Sequence, residues 1–121
     1  MKGSLNKRTL GGEYETIAAE FLQQQGYRIL ERNYHCKFGE IDIIAKDGSY
    51  YVFIEVKYRH SRRFGSPEEA LDPRKIQHIT RVAKSYLYER GLNEFTPCRF
   101  DVVVILDHTK RLIKNAFEAM G

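Results

Sequence analysis

The residues with the most chemistry to offer lie in two short runs, Glu40-Ile41-Asp42-Ile43 and Phe53-Ile54-Glu55-Val56-Lys57. Both are strand-like, rich in β-branched and aromatic residues, and Asp47-Gly48 lies between them as a hairpin turn signal. With Asp47-Gly48 as a two-residue loop, Lys46 stands opposite Ser49 and Asp42 opposite Phe53, which leaves Glu55 diagonal to Asp42. A slip that sets Asp42 directly opposite Glu55 keeps the same parity. Strand side chains alternate, so in either register Asp42, Glu55 and Lys57 share one face, and Ile41, Ile43, Val52, Ile54 and Val56 fill the other.

Two carboxylates that close repel each other, and one is driven to hold a proton unless a cation neutralises the pair. A hard divalent ion does so, and all-oxygen ligation favours Mg2+, with Mn2+ as a substitute, over zinc. Lys57, beside the same ion, would orient an attacking water and favour its deprotonated form. The plainer alternative is a cross-strand ion pair on a solvated face, where such contacts contribute about 0.2–1 kcal/mol. Spacing alone leaves both open.

Other residues carry weaker signals. Glu15 falls on an inward helical stripe with Ala18, Ala19 and Leu22, either as a further ligand or as an acid serving the helix dipole. Asp101 opens a buried strand and reads as a hydrogen-bonding acid before a ligand. Lys75 stands at a helix start, where a cation opposes the dipole; phosphate binding would account for it, though no role is required. His35, His60, His78 and His108 have no paired spacing and read as surface residues.

The positioning elements follow from periodicity. Residues 13–25 form a helix, with Tyr14, Ile17, Ala18, Phe21 and Leu22 at helical spacing and Gly26 as its stop. Residues 27–34 read as an imperfectly alternating strand, residues 40–46 and 50–58 as the hairpin. Ser66-Pro67-Glu68-Glu69 and Asp72-Pro73 both combine a cap with proline at the first helical position. The main helix runs over residues 73–90, with Ile76, Ile79, Val82, Ala83, Tyr86 and Leu87 inward and Gly91 as its stop. Residues 99–107 form a strand buried on both faces, and residues 112–120 an edge strand or tail. The order α-β-β-β-α-β, with a helix between two strands, specifies an α/β fold with a mixed sheet.

At 121 residues the chain makes one domain over residues 11–121, behind a flexible basic arm at residues 1–10. The longest apolar run, residues 102–106, is too short to span a bilayer, and the start lacks an apolar signal core, so no membrane role is expected. Cys36 and Cys98 lack metal or redox spacing and read as reduced thiols of a cytoplasmic protein. A net charge of +4 and a pI near 9.1 suit a polyanionic partner.

The runs Gly39-Glu40-Ile41-Asp42-Ile43-Ile44-Ala45 and Phe53-Ile54-Glu55-Val56-Lys57-Tyr58-Arg59 resemble the core of the bacterial YraN-like (UPF0102) family of predicted endonucleases, in the PD-(D/E)xK nuclease superfamily. The resemblance extends over residues 15–22, Gly26-Tyr27, Arg32-Asn33, Phe64-Gly65, Lys75 and Arg99-Phe100-Asp101. It implies a restriction-endonuclease-like core, metal ligation by Asp42 and Glu55, and Lys57 as the catalytic lysine. It also implies that Glu15 joins the metal site, as a first-helix glutamate does in Holliday-junction resolvases. The sequence departs from the family pattern at the helix start, where Tyr14 precedes Glu15 and the Gly-Glu pair is Gly12-Glu13, and Ile41 replaces the superfamily proline.

The expectation is a magnesium-dependent DNA endonuclease acting on branched or structured DNA, with the Val56 carbonyl completing the metal site. Arg59, Arg62, Arg63, Lys75 and the basic arm would hold the nucleic-acid backbone. The alternatives are a nucleic-acid-binding or complex-forming module without turnover, and a nuclease directed at RNA. Two symmetric nicks would suit a homodimer; residues 112–120 could line its interface or cover the domain's own core.

Overall fold

A computed structural model describes residues 7–59, 72–107 and 109–120, with only the backbone described for residues 7–11. Its elements are α1 (Lys7–Gln24), β1 (Arg28–Cys36), β2 (Gly39–Asp47), β3 (Tyr50–Arg59), α2 (Pro73–Glu89), β4 (Cys98–Leu106) and β5 (Thr109–Ile113). They build one sheet in the order β1-β2-β3-β4-β5. The β3–β4 pair is parallel and the others antiparallel. A parallel pair needs a crossover, and α2 supplies it.

The two helices cover opposite faces of the sheet. Ala18, Ala19 and Leu22 of α1 pack with Ile43, Ala45, Val52, Ile54, Val103 and Ile105. Ile79, Val82, Ala83, Tyr86 and Leu87 of α2 pack with Ile41, Ile44, Phe53 and Phe100. The apolar run of β4 is thus explained: Val103 and Ile105 serve the α1 side and Phe100 the α2 side. Among the described residues no helix is long and apolar enough to cross a membrane.

The α2 start is as the cap signal requires, with the Asp72 carboxylate accepting from the Lys75 N–H at 2.9 Å and Pro73 in the first turn. The Ser66 cap lies outside the described residues. At the far end Gly91 takes φ 76°, and the Leu92 N–H reaches back to the Leu87 carbonyl at 2.9 Å, as a left-handed glycine cap allows.

Four details differ from the sequence reading. First, α1 begins at Lys7, not at residue 13; two glycines and the lack of an apolar stripe hid its first turn. Residues 7–10 of the expected arm therefore belong to α1, and residues 1–6 lie outside the described residues. Second, Asp47 pairs with Tyr50, so the loop is Gly48-Ser49, and Gly48 takes φ 62° at the first central position, as a type II′ turn asks of glycine. Third, the register with β2 shifts between Ile29 and Glu31, so that Leu30 has no partner there and Glu31 falls opposite Ile44. This bulge is the cause of the imperfect alternation in β1.

Fourth, the edge strand is β5, at residues 109–113, and the residues beyond it form a tail. The tail folds back over the α2 side: Ala116 N–H donates to the Phe100 carbonyl at 2.7 Å and Met120 N–H to Thr80 Oγ1 at 3.1 Å. Phe117 stacks on Phe100 with ring centroids 5.0 Å apart.

Candidate active site

The hairpin register ends its pairing at Ile43↔Ile54. One step further Asp42 is level with Glu55, and there β2 parts from β3. The alternation expected along β2 breaks at this point, because Ile41 packs on the α2 side while Ile43 packs on the α1 side. The expected single face for Ile41 and Ile43 is thereby corrected. Parting strands would orphan the Val56 amide, which is a strong donor. The Asp42 carboxylate takes it instead, accepting from Val56 N–H at 2.8 Å. In an antiparallel strand a residue's N–H and C=O point to the same side, so the Val56 carbonyl also faces this opening.

Glu55 is buried, 6% exposed, and two lysines approach its Oε2. Lys75 Nζ stands at 3.3 Å and Lys57 Nζ at 3.8 Å. Lys57 comes from the same strand two residues on. Lys75 comes from the first turn of α2, whose cap aims that turn at the sheet. Burial first, and then the Asp42 charge, push the Glu55 carboxyl up to about 7, against the pull of Lys75 and Lys57. Asp42 is also raised by burial, opposed by the Val56 hydrogen bond and by Lys75; its side chain is hydrogen-bonded to Glu55. Two such carboxyl groups form a coupled dyad whose mutual repulsion is relieved by a shared proton or by a cation.

Glu15 approaches from the α1 side. It shares with Asp42, Val56, Tyr14 and Tyr58 a cleft of about 160 Å³. Arg32 Nε is 3.5 Å from its carboxylate, and Arg32 also donates to Thr16 at 2.6 Å. Burial, then the Asp42 charge, raise its pKa, while Arg32 lowers it. Glu13 is exposed, which leaves Glu15 as the inward acid of this helix. Tyr14 and Tyr58 stack with centroids 3.9 Å apart and wall the cleft. Sequence reasoning missed this pair, since Tyr14 read only as helix stripe and Tyr58 only as strand.

Among the described residues no three His, Cys, Asp or Glu side chains converge closely enough to hold a metal ion. Asp42 and Glu55 nevertheless fit one hard divalent ion: they are adjacent, all-oxygen, and set in the sheet with Glu55 buried and Asp42 half-buried. Magnesium in particular is commonly held by one or two carboxylates, with waters and substrate oxygens filling the remaining positions.

The other expected residues separate from this grouping. Arg59 donates to the Tyr58 carbonyl at 2.8 Å, and Arg62 and Arg63 lie outside the described residues. Lys75, expected to bind nucleic acid, is the exception: it is paired with Glu55 and so belongs to the grouping itself. Asp101 is structural: fully buried, it accepts from Tyr27 Oη at 2.6 Å, from Arg99 Nε at 2.9 Å and from the Asn115 N–H at 2.9 Å. Arg99 also bonds Asp47 at 2.9 Å and Tyr27 Oη at 2.7 Å.

The raised Glu55 pKa has a consequence for stability. A carboxyl whose pKa is higher in the folded than in the unfolded protein binds its proton more tightly when native, so protonation stabilises the fold. For Glu55, facing Asp42, Lys57 and Lys75, this contribution is full below the ordinary value of 4.5 and is lost as pH rises through about 7. In chelator, the melting temperature of the protein is expected to fall by several degrees between pH 5 and pH 8. Glu55→Gln should flatten this fall. Parallel pH profiles for the two proteins would remove Glu55 as its source.

Fold and site together place the chain in a class: an α/β protein with a restriction-endonuclease-like core, bearing two adjacent acids and two lysines where its central hairpin opens. Comparison with known proteins then gives the family. The model of the Uncharacterised protein family UPF0102 matches residues 14–105, and the chain belongs to this family. A UPF0102 protein of Lachnoclostridium phytofermentans is 55% identical over 97% of this chain and 99% of its own. One of Caldicellulosiruptor saccharolyticus is 48% identical over 93% and 100%, and one of Clostridium botulinum 44% over 92% and 95%.

Proposed function

We propose that this protein is a magnesium-dependent endonuclease that hydrolyses phosphodiester bonds of DNA, with branched or structured DNA as its substrate. The observation that carries the reading is the adjacent Asp42–Glu55 pair at the β2–β3 opening, with Lys57 and Lys75 both on Glu55 Oε2. Asp42, Glu55 and the Val56 carbonyl would hold the ion, with Glu15 beside them. When bound, magnesium supplies charge stabilisation on phosphoryl oxygens and a more acidic water. Lys57, largely buried and held by Glu55, orients the attacking water and by its charge favours loss of the water's proton. Lys75, with more of its side chain exposed, donates to a phosphate oxygen. The Tyr14–Tyr58 wall restricts solvent on the α1 side.

The test is cleavage of labelled linear, flapped and four-way-junction DNA, with matched RNA, in Mg2+ or Mn2+. Lys57→Met is expected to slow cleavage about a hundredfold or more with DNA affinity little changed. Cutting of RNA alone would replace the DNA reading with an RNA one. Absence of cutting on every substrate would overturn turnover.

A second reading is a nucleic-acid-binding or complex-forming module without turnover. It is favoured by one observation: Lys57 and Lys75 already balance the two carboxylates without any ion. Mn2+ titration followed calorimetrically separates the two, since the module binds no ion at Asp42 and Glu55.

A further inference from the structure

The two helices on opposite faces of the sheet carry opposite charge. Along α1, Lys7 and Arg8 open the helix and Glu13, Glu15 and Glu20 follow, three acids against two bases. Along α2, Arg74, Lys75, Arg81 and Lys84 are joined by His78, and the sole acid is Glu89, its last residue. The inward stripe of α2 is consumed by packing: Ile79, Val82, Ala83, Tyr86 and Leu87 are buried on the sheet. Arg74, His78, Arg81 and Lys84 are therefore left on the solvent side, and all four are exposed.

We infer that this outer ridge of α2 is the surface on which double-stranded DNA docks, and that the site is approached from the α2 side. The inference rests on the nuclease reading for its choice of polyanion. At 1.5 Å per residue the ridge runs about 10 Å from Arg74 to Arg81 and about 15 Å to Lys84. That length spans a B-form major groove about 12 Å wide, so its cations reach phosphates on both sides. The ridge starts in the same helical turn as Lys75, whose ammonium stands 3.3 Å from Glu55. A duplex held along α2 thus brings one strand to the carboxylate pair. Of the charged residues of α2, Arg74, Lys75, Arg81 and Lys84 are cationic and only Glu89 is acidic, whereas α1 mixes Lys7 and Arg8 with three acids, so the excess of positive charge lies on the α2 side.

These contacts are phosphate contacts, which position a duplex without reading its sequence. Each lost contact lowers the slope of log affinity against log salt by about 0.9. Arg74→Gln combined with Arg81→Gln keeps good helix formers and removes two contacts. Binding of a labelled 20-base-pair duplex, followed by fluorescence anisotropy in chelator, is measured from 50 to 200 mM salt. The affinity loss over that range is expected to be about tenfold smaller for the double variant than for the wild type. Lys110→Ala with Arg111→Ala, which removes the same charge from β5, should leave the slope unchanged. An unchanged slope in the α2 variant, equal losses in both variants, or binding of duplex RNA but not DNA would overturn the inference. Because no divalent ion is present, the result is independent of catalysis: DNA held by the ridge but never cut keeps this surface and overturns the nuclease reading.

Discussion

Replacing Asp42 by asparagine is expected to end cleavage while leaving the fold and DNA binding in place. The substitution is nearly isosteric, and the asparagine carbonyl oxygen can still accept the Val56 N–H that Asp42 now takes at 2.8 Å. The opening between β2 and β3 should therefore keep its shape. What is lost is one of two anionic ligands and half of the negative charge in the dyad. Removing a group that stabilises charge only in the transition state slows enzymes by roughly a hundred- to a thousandfold, and loss of a metal ligand adds to that. Two readouts besides cleavage should accompany it. Divalent-ion affinity should drop, and in chelator at pH 8 the variant should melt higher than the wild type, because Asp42 no longer opposes ionisation of Glu55. Cleavage at the wild-type rate would take Asp42 out of the mechanism. A lower melting temperature would mean that the dyad is not strained by its own charge.

The second large effect concerns stability. Asp101→Ala should destabilise the fold by about 3–5 kcal/mol, the usual penalty for removing one partner of a buried ion pair. Asp101 is 0% exposed, and its loss takes an acceptor from the Arg99 guanidinium, the Tyr27 hydroxyl and the Asn115 N–H at once. Domains of this size have net stabilities of only about 5–15 kcal/mol, so the loss is a large fraction of the whole. Urea unfolding measures it, and Asp101→Asn, which keeps one acceptor oxygen, should fall between. Combining Asp101→Ala with Arg99→Met should cost less than the sum of the two, since the second change removes the charge that the first leaves unpaired. A loss under about 1 kcal/mol for Asp101→Ala would show that Arg99 finds adequate partners in Asp47 and Tyr27.

The network also explains why Tyr27, Arg99 and Asp101, far apart in the chain, belong to one requirement. They tie the end of α1, the β2–β3 turn and the start of β4 into a single hydrogen-bonded knot beneath the sheet. Asp101 itself is paired across β3–β4 with Ile54, the neighbour of Glu55. Spacing alone identified Asp101 as an acid at a strand entrance, but its partners come from positions 2, 14 and 74 residues away. Those long separations are invisible to any local pattern.

Much of the protein was legible in the chain, because the signals involved are short-range. Alternation marks β2 and β3, the Asp72-Pro73 cap marks the start of α2, a glycine marks each helix stop, and an unbroken apolar run marks β4 as an inner strand. Those same local rules brought Asp42, Glu55 and Lys57 together. They failed where backbone geometry departs from regularity: at the Leu30 bulge, at the Gly48-Ser49 turn, and at Asp42, where β2 leaves its partner and the faces exchange. Only tertiary packing decided that Asp42 would cap a stranded amide, that Lys75 would reach Glu55 ahead of Lys57, and that Arg32 would hold Glu15. Each of these depends on where α1 and α2 settle on the sheet, and that is set by the summed burial of many apolar side chains rather than by any residue near the site.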